Sequence, residues 1–303
     1  MSALPPEPAA GSAESRAEGA RAGLARRAWT LAVAQPNLAL GAVLTGAVVL
    51  AAAIGPAVVE WAADARSGVR LAAPSADHWL GTDEEGYDTL ARVLAGARLA
   101  LVVGPGVAAL SVGIGVVLGA LGGYFGGWLD GAVRKASDAL MAFPGLLVAL
   151  LVLFVTDAPG IGTVILSLSL TGWAGHARLV RMLVASARER PFVVAARCLG
   201  AGPLRILGLY VLPEIAGPVA VQATFAVAAA ILGEASLSFL GLGPQGVVSW
   251  GGMLEQGSVL FLQSPALVLS AGGALFLLLA GVHLLGDGLR DLYDPRLVRA
   301  SVD

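Results

Sequence analysis

The eleven residues HWLGTDEEGYD, from His78 to Asp88, crowd four carboxylates, Asp83, Glu84, Glu85 and Asp88, into one short polar segment. Carboxylates so close together ligate a cation where their oxygens converge, but this spacing does not match a calcium-binding loop. A solvated helix start or a docking surface for another protein remains. Thr82 and Glu85 favour the first, because a T-x-x-E box caps a helix; the text predicts a short amphipathic helix from there through Leu90, Val93 and Leu94. A fifth acid, Glu234, ends an apolar run and is followed by Ser236 and Ser238. An acid in that setting either serves function or braces the Gly/Ser-rich segment after it.

The other reactive side chains are scattered. His78, His176 and His283 lie in three segments with no ligand spacing between them, which argues against zinc; His176 and His283 read as helix-end residues. Cys198 is the only cysteine, so no internal disulfide forms, and it reads as a small packing residue. No serine or histidine stands in a recognisable nucleophile context. A phosphate-wrapping loop needs glycines followed by Gly-Lys-Ser/Thr, and the single lysine, Lys135, sits between Arg134 and Ala136. The expectation is a chain that is no enzyme, with no catalytic residue, cofactor or metal of its own.

Composition decides what positions these groups. Of 303 residues, 57% are hydrophobic and 13% charged, and the mean hydropathy is +0.80. A water-soluble domain carries about 25% charged residues, so this chain has too little polar surface to cover so large a core. It is an integral membrane protein. Its net charge of −2 makes no field for polyanions, and nucleic acid falls away as a partner.

A hydrocarbon core about 30 Å thick takes roughly 20 helical residues. Seven runs of 18 or more residues lack Asp, Glu, Lys and Arg: 28–59, 99–129, 139–156, 158–177, 215–233, 235–254 and 256–286. The sixth, ASLSFLGLGPQGVVSWGGML, holds glycines, serines and a proline that would leave backbone groups unpaired in lipid. It reads as a loop partly buried in protein, which leaves six spans and an all-α polytopic fold. Basic residues stay on the cytoplasmic side, and 15 of the 19 fall on the side shared by both termini, which places both ends in the cytoplasm. The expected order is a disordered cytoplasmic tail over 1–28, a first helix over 29–63 retained as an anchor, and an extracytoplasmic loop with a short helix over 64–97. A core of five helices over 98–288 follows, with an extracytoplasmic loop at about 234–264, and then a cytoplasmic tail over 289–303.

Inside the second span, Gly115, Gly119, Gly123 and Gly127 recur every four residues as a smooth stripe for close helix packing. Pro144 should kink the third span near its cytoplasmic half. The richest text is the cytoplasmic stretch at about 185–212. Pro191 opens a helix that Gly200 stops, and Pro203 opens a second, LRILGLYVL, that ends at Pro213. Phe192, Ala195, Ala196 and Leu199 share one face of the first, with Leu204, Leu207 and Val211 on the second, so an apolar surface is offered. It serves either a partner protein or the membrane headgroup region.

That stretch resembles the signature of permease subunits of bacterial ABC importers: a Glu-Ala-Ala triplet, a glycine four residues after its last alanine, and a Leu-Pro pair twelve residues beyond. Ala195, Ala196, Gly200, Leu212 and Pro213 fall at those spacings, with Val194 in place of the glutamate. Further motifs are similar to one branch, the second permease subunit of dipeptide and oligopeptide importers. They are HWLGTDEEGYD, with Trp79 and Tyr87 where proline and arginine are usual, then GYFGGWLD, AFPGLL, GEASLSFLGLG, SWGGML and LLGDGLRDLYDPRL. The likeness runs from about Leu38 to Val298.

The resemblance implies the type I importer (MetI-like) fold of six transmembrane helices in the bacterial cytoplasmic membrane. It also implies a coupling helix that docks into a groove of an ATP-hydrolysing subunit. To that ATPase-coupling loop it assigns Val194, Ala195, Ala196, Arg197, Gly200, Ala201, Leu204, Arg205, Leu212 and Pro213. Glu234, Ser236 and Ser238 become candidates for the translocation path or its gate. Thr82, Asp83, Glu84, Glu85, Asp88 and Trp250 become candidates for docking a binding protein. The implied partners are a homologous second permease in a heterodimer, two subunits that bind ATP and Mg, an extracytoplasmic solute-binding protein, and membrane lipid. Di- or oligopeptides are the expected cargo, and nickel or another small solute is the alternative within the same architecture. An ion-gradient-driven secondary transporter is the alternative of a different class; the lack of a clear internal repeat weighs against it.

Overall fold

The structure, a computed structural model, describes residues 35–59 and 62–293. The tail expected over 1–28 and most of the one over 289–303 lie outside the described residues. Within them the elements are α1 (Pro36–Val58), α2 (Thr89–Phe125), α3 (Gly127–Met141), α4 (Gly145–Phe154), α5 (Ile161–Ala187), α6 (Pro191–Cys198) and α7 (Pro203–Ile206). A π-helical turn (Leu207–Val211), α8 (Leu212–Phe239), α9 (Trp250–Val259) and α10 (Pro265–Tyr293) complete the order. Extended backbone pairs only at two isolated antiparallel bridges among the described residues, Arg66 with Tyr87 and Thr82 with Asp88. The fold is all-α.

Four helices are long and apolar enough to cross a membrane: α1, α2, the rod Pro203–Phe239 and α10. The pair α3 and α4, bent by 78°, makes a fifth if counted as one span. The six spans expected are therefore not reproduced by this criterion. α5 has 27 residues but interleaves Ser167, Ser169 and His176 with its apolar side chains, and all three are buried in protein. A helix sheltered on its polar side needs no continuous apolar surface.

Three local expectations are corrected. Pro144 does not kink a continuous helix but separates two, standing at the N-cap of α4 with extended ψ. Pro213 does not end a helix, because the rod passes through it. The Leu212 N–H bonds back five residues to the Leu207 carbonyl, and the widened π register accommodates the N–H that proline lacks. The short helix predicted from Thr82 does not form. Asp88 is the cap, its Oδ1 accepting from the Ala91 N–H at 2.8 Å, and Leu90, Val93 and Leu94 lie in the first turns of the 37-residue α2. The loop read at 235–254 also narrows to 240–249, since α8 runs on to Phe239 and α9 starts at Trp250.

α2 is the central post of the bundle, contributing to all three apolar clusters. Ala97 and Ala100 meet α8, α9 and α10; Leu99, Val103 and Val107 meet α4 and α8; Ala120 meets α5 and the residues around α6. Its closest neighbour is α5. A Cβ on Gly115 would lie 2.5 Å from the His176 Cβ, one on Gly119 2.5 Å from the Ala177 carbonyl oxygen, and one on Gly123 2.5 Å from the Arg181 carbonyl oxygen. Gly127 is not part of this stripe. It starts α3 at φ +59°, and a Cβ there would meet nothing.

Gly119→Leu is expected to lower the thermal unfolding midpoint of the detergent-purified chain, because overpacking against a backbone that cannot yield costs about 1–3 kcal/mol or more. Gly113→Leu, on the open side of the same helix where a Cβ has no neighbour within 4 Å, should leave the midpoint unchanged.

Candidate functional site

The segment α6–Gly200–α7 is held at both entrances by arginines. Arg188, just past α5, donates from Nη1 to the carbonyls of Gly123 at 3.3 Å and Tyr124 at 3.2 Å, so the end of α5 is tied to the end of α2. Arg190 pairs with Glu214 in the first turn of α8, closing the segment into a loop with its ends together. Pro191 starts α6. α6 ends in a paired closure, with Ala201 N–H on the Ala196 carbonyl at 3.1 Å and Gly200 N–H on the Arg197 carbonyl at 3.0 Å. That closure needs the left-handed backbone of Gly200, φ +82°.

The apolar residues of the segment divide between two faces. Ala196, Leu207 and Val211, together with Val193 and Ile206, are buried against Val180, Val184 and Ala187 of α5. Phe192, Ala195, Leu199 and Leu204 point out, with Leu199 89% and Leu204 72% exposed. The single shared face expected from the spacing is therefore not present; one side anchors the segment and the other is presented. Val194, Arg197, Cys198 and Arg205 are exposed on the outward side, as are Gly200 and Pro213, while Ala201 and Leu212 are half-buried.

At the other end of α2, two of the four acids, Asp83 and Asp88, are architecture rather than surface. Thr82 is 2% exposed; its Oγ1 donates to the Val69 carbonyl at 2.8 Å and accepts from the Ala72 N–H at 2.9 Å. Asp83, 1% exposed, accepts from the N–H groups of Glu85 at 3.0 Å and Tyr87 at 2.8 Å through Oδ1, and pairs with Arg92 through Oδ2. Arg92 also donates to Gln256 Oε1 of α9 at 3.2 Å. Asp88 Oδ2 meets His78 Nδ1 at 2.9 Å. Tyr87 lies between two guanidiniums, with Arg66 at 5.2 Å and Arg92 at 5.3 Å from its ring centre. Trp250 is also buried: its indole N–H donates to the Val93 carbonyl at 2.9 Å, and its ring fills the space that a Cβ on Gly96 would occupy. Of the six residues named for docking a binding protein, Thr82, Asp83, Asp88 and Trp250 are therefore buried within the chain. Glu84 and Glu85 are exposed.

Glu234 is buried and accepts from Ser238 Oγ at 2.6 Å; Ser238 is in turn pressed by Gly243 of the following loop. Both residues lie within α8, one turn apart. Ser236 is half-buried, its hydroxyl turned back to the Leu232 carbonyl at 2.7 Å.

Sequence reasoning missed a different polar strip. His283, Asp287 and Arg290, at i, i+4 and i+7 of α10, are all exposed, and Arg290 lines, with Leu179, Gln222, Phe225 and Tyr293, a hollow of about 430 Å³. The spacing was visible as text. Neither His283 nor His176 is a helix-end residue as expected: His283 stacks at a tilt on Phe225, centroids 5.6 Å apart, well inside α10, and His176 is buried inside α5. Among the described residues no three His, Cys, Asp or Glu side chains are grouped to hold a metal.

A family model for the inner membrane component of binding-protein-dependent transport systems matches residues 115–299, which include α5, the segment α6–Gly200–α7 and α8. The chain belongs to this family. Members are non-catalytic membrane subunits whose ATPase is a separate subunit, and the apolar helices fit a multi-pass protein of the inner membrane. This inner membrane component is 42% identical over 234 residues to the dipeptide transport system permease protein DppC of Bacillus subtilis, covering 75% of this chain and 71% of the relative. It is 35% identical over 260 residues to DppC of Alkalihalophilus pseudofirmus, covering 85% of each. It is 37% identical over 225 residues to the oligopeptide transport system permease protein OppC of Bacillus subtilis, covering 74% and 73%.

Asp83→Ala in this membrane component should cost about 3–5 kcal/mol, because it strands Arg92, whose side chain is only 12% exposed. Glu84→Ala, at an exposed neighbour, should stay within about 0.5 kcal/mol. Paired thermal or denaturant unfolding in one detergent measures both.

Proposed function

We propose that the chain is the permease subunit of an ATP-driven importer of dipeptides or oligopeptides, coupled through α6–Gly200–α7 to separate ATPase subunits. The observation that carries this is the outward face of that segment. Phe192, Leu199 and Leu204 are presented on a loop anchored from beneath, in a chain whose relatives carry the names of dipeptide and oligopeptide permeases. An apolar face held rigidly away from the bundle fits a groove on a partner, and Val194 takes the place of a charged side chain on it. Two such ATPase subunits, binding ATP and Mg, would act on this chain and on a homologous permease paired with it.

The arginines support the orientation. Arg134, Lys135, Arg178, Arg181, Arg188, Arg190, Arg197 and Arg205 belong to the end of the bundle that carries the coupling segment, which fits the cytoplasmic side for it and for both termini. A solute-binding protein would then dock over the opposite loops, where Glu84 and Glu85 remain exposed. A polar path between paired permeases is supported by the strip His283, Asp287, Arg290 and Gln222, since such side chains at membrane depth face protein or water rather than lipid. Glu234 is a poorer path candidate, occupied as it is by Ser238.

Leu199→Asp with Leu204→Asp tests the coupling. Loss of a buried apolar anchor costs about 2 kcal/mol or more of docking energy, so uptake of a labelled dipeptide and co-purification of the ATPase should both fall at least roughly tenfold. The thermal midpoint of the isolated chain should not change, because both side chains are outside its core. Full uptake in that variant overturns the coupling assignment, and uptake of nickel without peptide overturns the cargo.

A further inference from the structure

α3 differs from every helix around it. It is short and amphipathic, carries Asp130, Arg134, Lys135 and Asp138, begins beside Trp128 at 82% exposure, and bends by 78° into the wholly apolar α4. A helix of that character lies at the level of lipid headgroups, where tryptophan also concentrates. Between α3 and α5 it leaves a cleft of about 250 Å³ lined by Val133, Arg134, Ser137, Asp138, Arg178 and Arg181, with Met182 at its edge. At about 30 Å³ for each water in the liquid, that is room for a headgroup rather than a single solvent molecule.

The lining has an excess of positive charge and a polar group without a partner. Asp130 accepts from Arg134 Nη2 at 3.1 Å through one oxygen and from Arg181 Nη1 at 3.0 Å through the other, and Asp138 pairs with Arg178. Three guanidiniums therefore face two carboxylates. Each guanidinium presents five N–H donors in a fork, and the aspartates take one from each. At the wall of the same cleft Ser137 is 2% exposed, and its Oγ is buried with no hydrogen-bond partner. A buried hydroxyl left unpaired is costly, and its position among surplus guanidinium donors is what a tetrahedral oxyanion would satisfy. Arginine forks match phosphate oxygens in pairs, and basic hollows between helices at the membrane surface take lipid phosphates.

We propose that the cleft between α3 and α5 binds a phosphate group, contacted by Arg134, Arg178, Arg181 and the Ser137 hydroxyl, and carried by an anionic phospholipid or by free phosphate. The site is separate from the coupling face and does not depend on the importer assignment. Because α5 leads directly into α6, an occupied cleft would also stiffen the helix that presents the coupling segment.

The test is native mass spectrometry of the full chain, purified with whatever subunits accompany it, after exchange into detergent containing phosphatidylglycerol, phosphatidylcholine, or phosphatidylcholine with inorganic phosphate. Arg134→Gln removes one fork while leaving the Arg181 to Asp130 pair intact, and Ser137→Ala removes the hydroxyl without adding bulk at a buried position. Retention of phosphatidylglycerol but not phosphatidylcholine, reduced tenfold or more in Arg134→Gln and severalfold in Ser137→Ala, supports the site with lipid as the source. A saturable rise in thermal midpoint with inorganic phosphate, lost in both variants, supports it with free phosphate as the source. Thermal midpoints of the variants in phosphatidylcholine alone exclude simple unfolding. Equal retention of both lipids by the wild type, or retention of anionic lipid unchanged in both variants, together with no response to phosphate, overturns the proposal.

Discussion

The backbone contact between α2 and α5 is the constraint on which the rest of the molecule depends. Three glycines on successive turns of α2 let the peptide groups of Ala177 and Arg181 approach to a distance at which no side chain fits. In lipid there is no hydrophobic force between helices, and such proximity supplies the dispersion contact that holds them together. It also fixes the relative height of the two helices, because each glycine accepts only the residue opposite it. Everything attached to the far end of α5 inherits that height: Arg188 closes on the carbonyls of Gly123 and Tyr124, and α6 begins three residues later.

From this anchoring follows the division of the segment α6–Gly200–α7 into two faces. A short helix of eight residues is not stable alone in water, so α6 is ordered by what it buries. Val193 and Ala196 pack on α5, the Arg190 to Glu214 pair joins the segment's two ends, and the glycine turn sends the chain back into α8. The cost of ordering is met on the inner face, which frees the outer face to present Phe192, Leu199 and Leu204 without collapse onto the bundle. A rigid loop transmits displacement in a way that a flexible one does not, and it would lose less entropy on docking.

The opposite end uses polar groups for the same purpose. Asp83, Arg92 and Gln256 connect the loop after α1, the start of α2 and α9, while Trp250 locks α9 onto α2 through one hydrogen bond and one glycine-sized recess. Buried charges survive there because every aspartate oxygen is occupied, by two backbone N–H groups and Arg92 at Asp83, and by the α2 cap and His78 at Asp88. The four-acid segment is therefore half scaffold and half surface, and only Glu84 and Glu85 carry negative charge outward.

Much of this was legible in the text. Composition and the length of uncharged runs determine a polytopic helical membrane protein, because a hydrocarbon solvent leaves the backbone few alternatives. Pro191, Gly200 and Pro203 mark the two short helices α6 and α7 and the turn between them, because proline fixes φ and glycine readily takes the left-handed backbone. Glycine at every fourth position marks the α2 and α5 contact for the same local reason. What tertiary structure decided was direction and partnership. Whether Asp83 faces solvent or Arg92, whether Ala196 or Ala195 of one helix turns inward, and whether Pro213 ends a helix or rides a π turn all depend on groups distant in sequence. A residue's type limits the bonds it can make, but the neighbours brought to it by packing determine which of those bonds it does make.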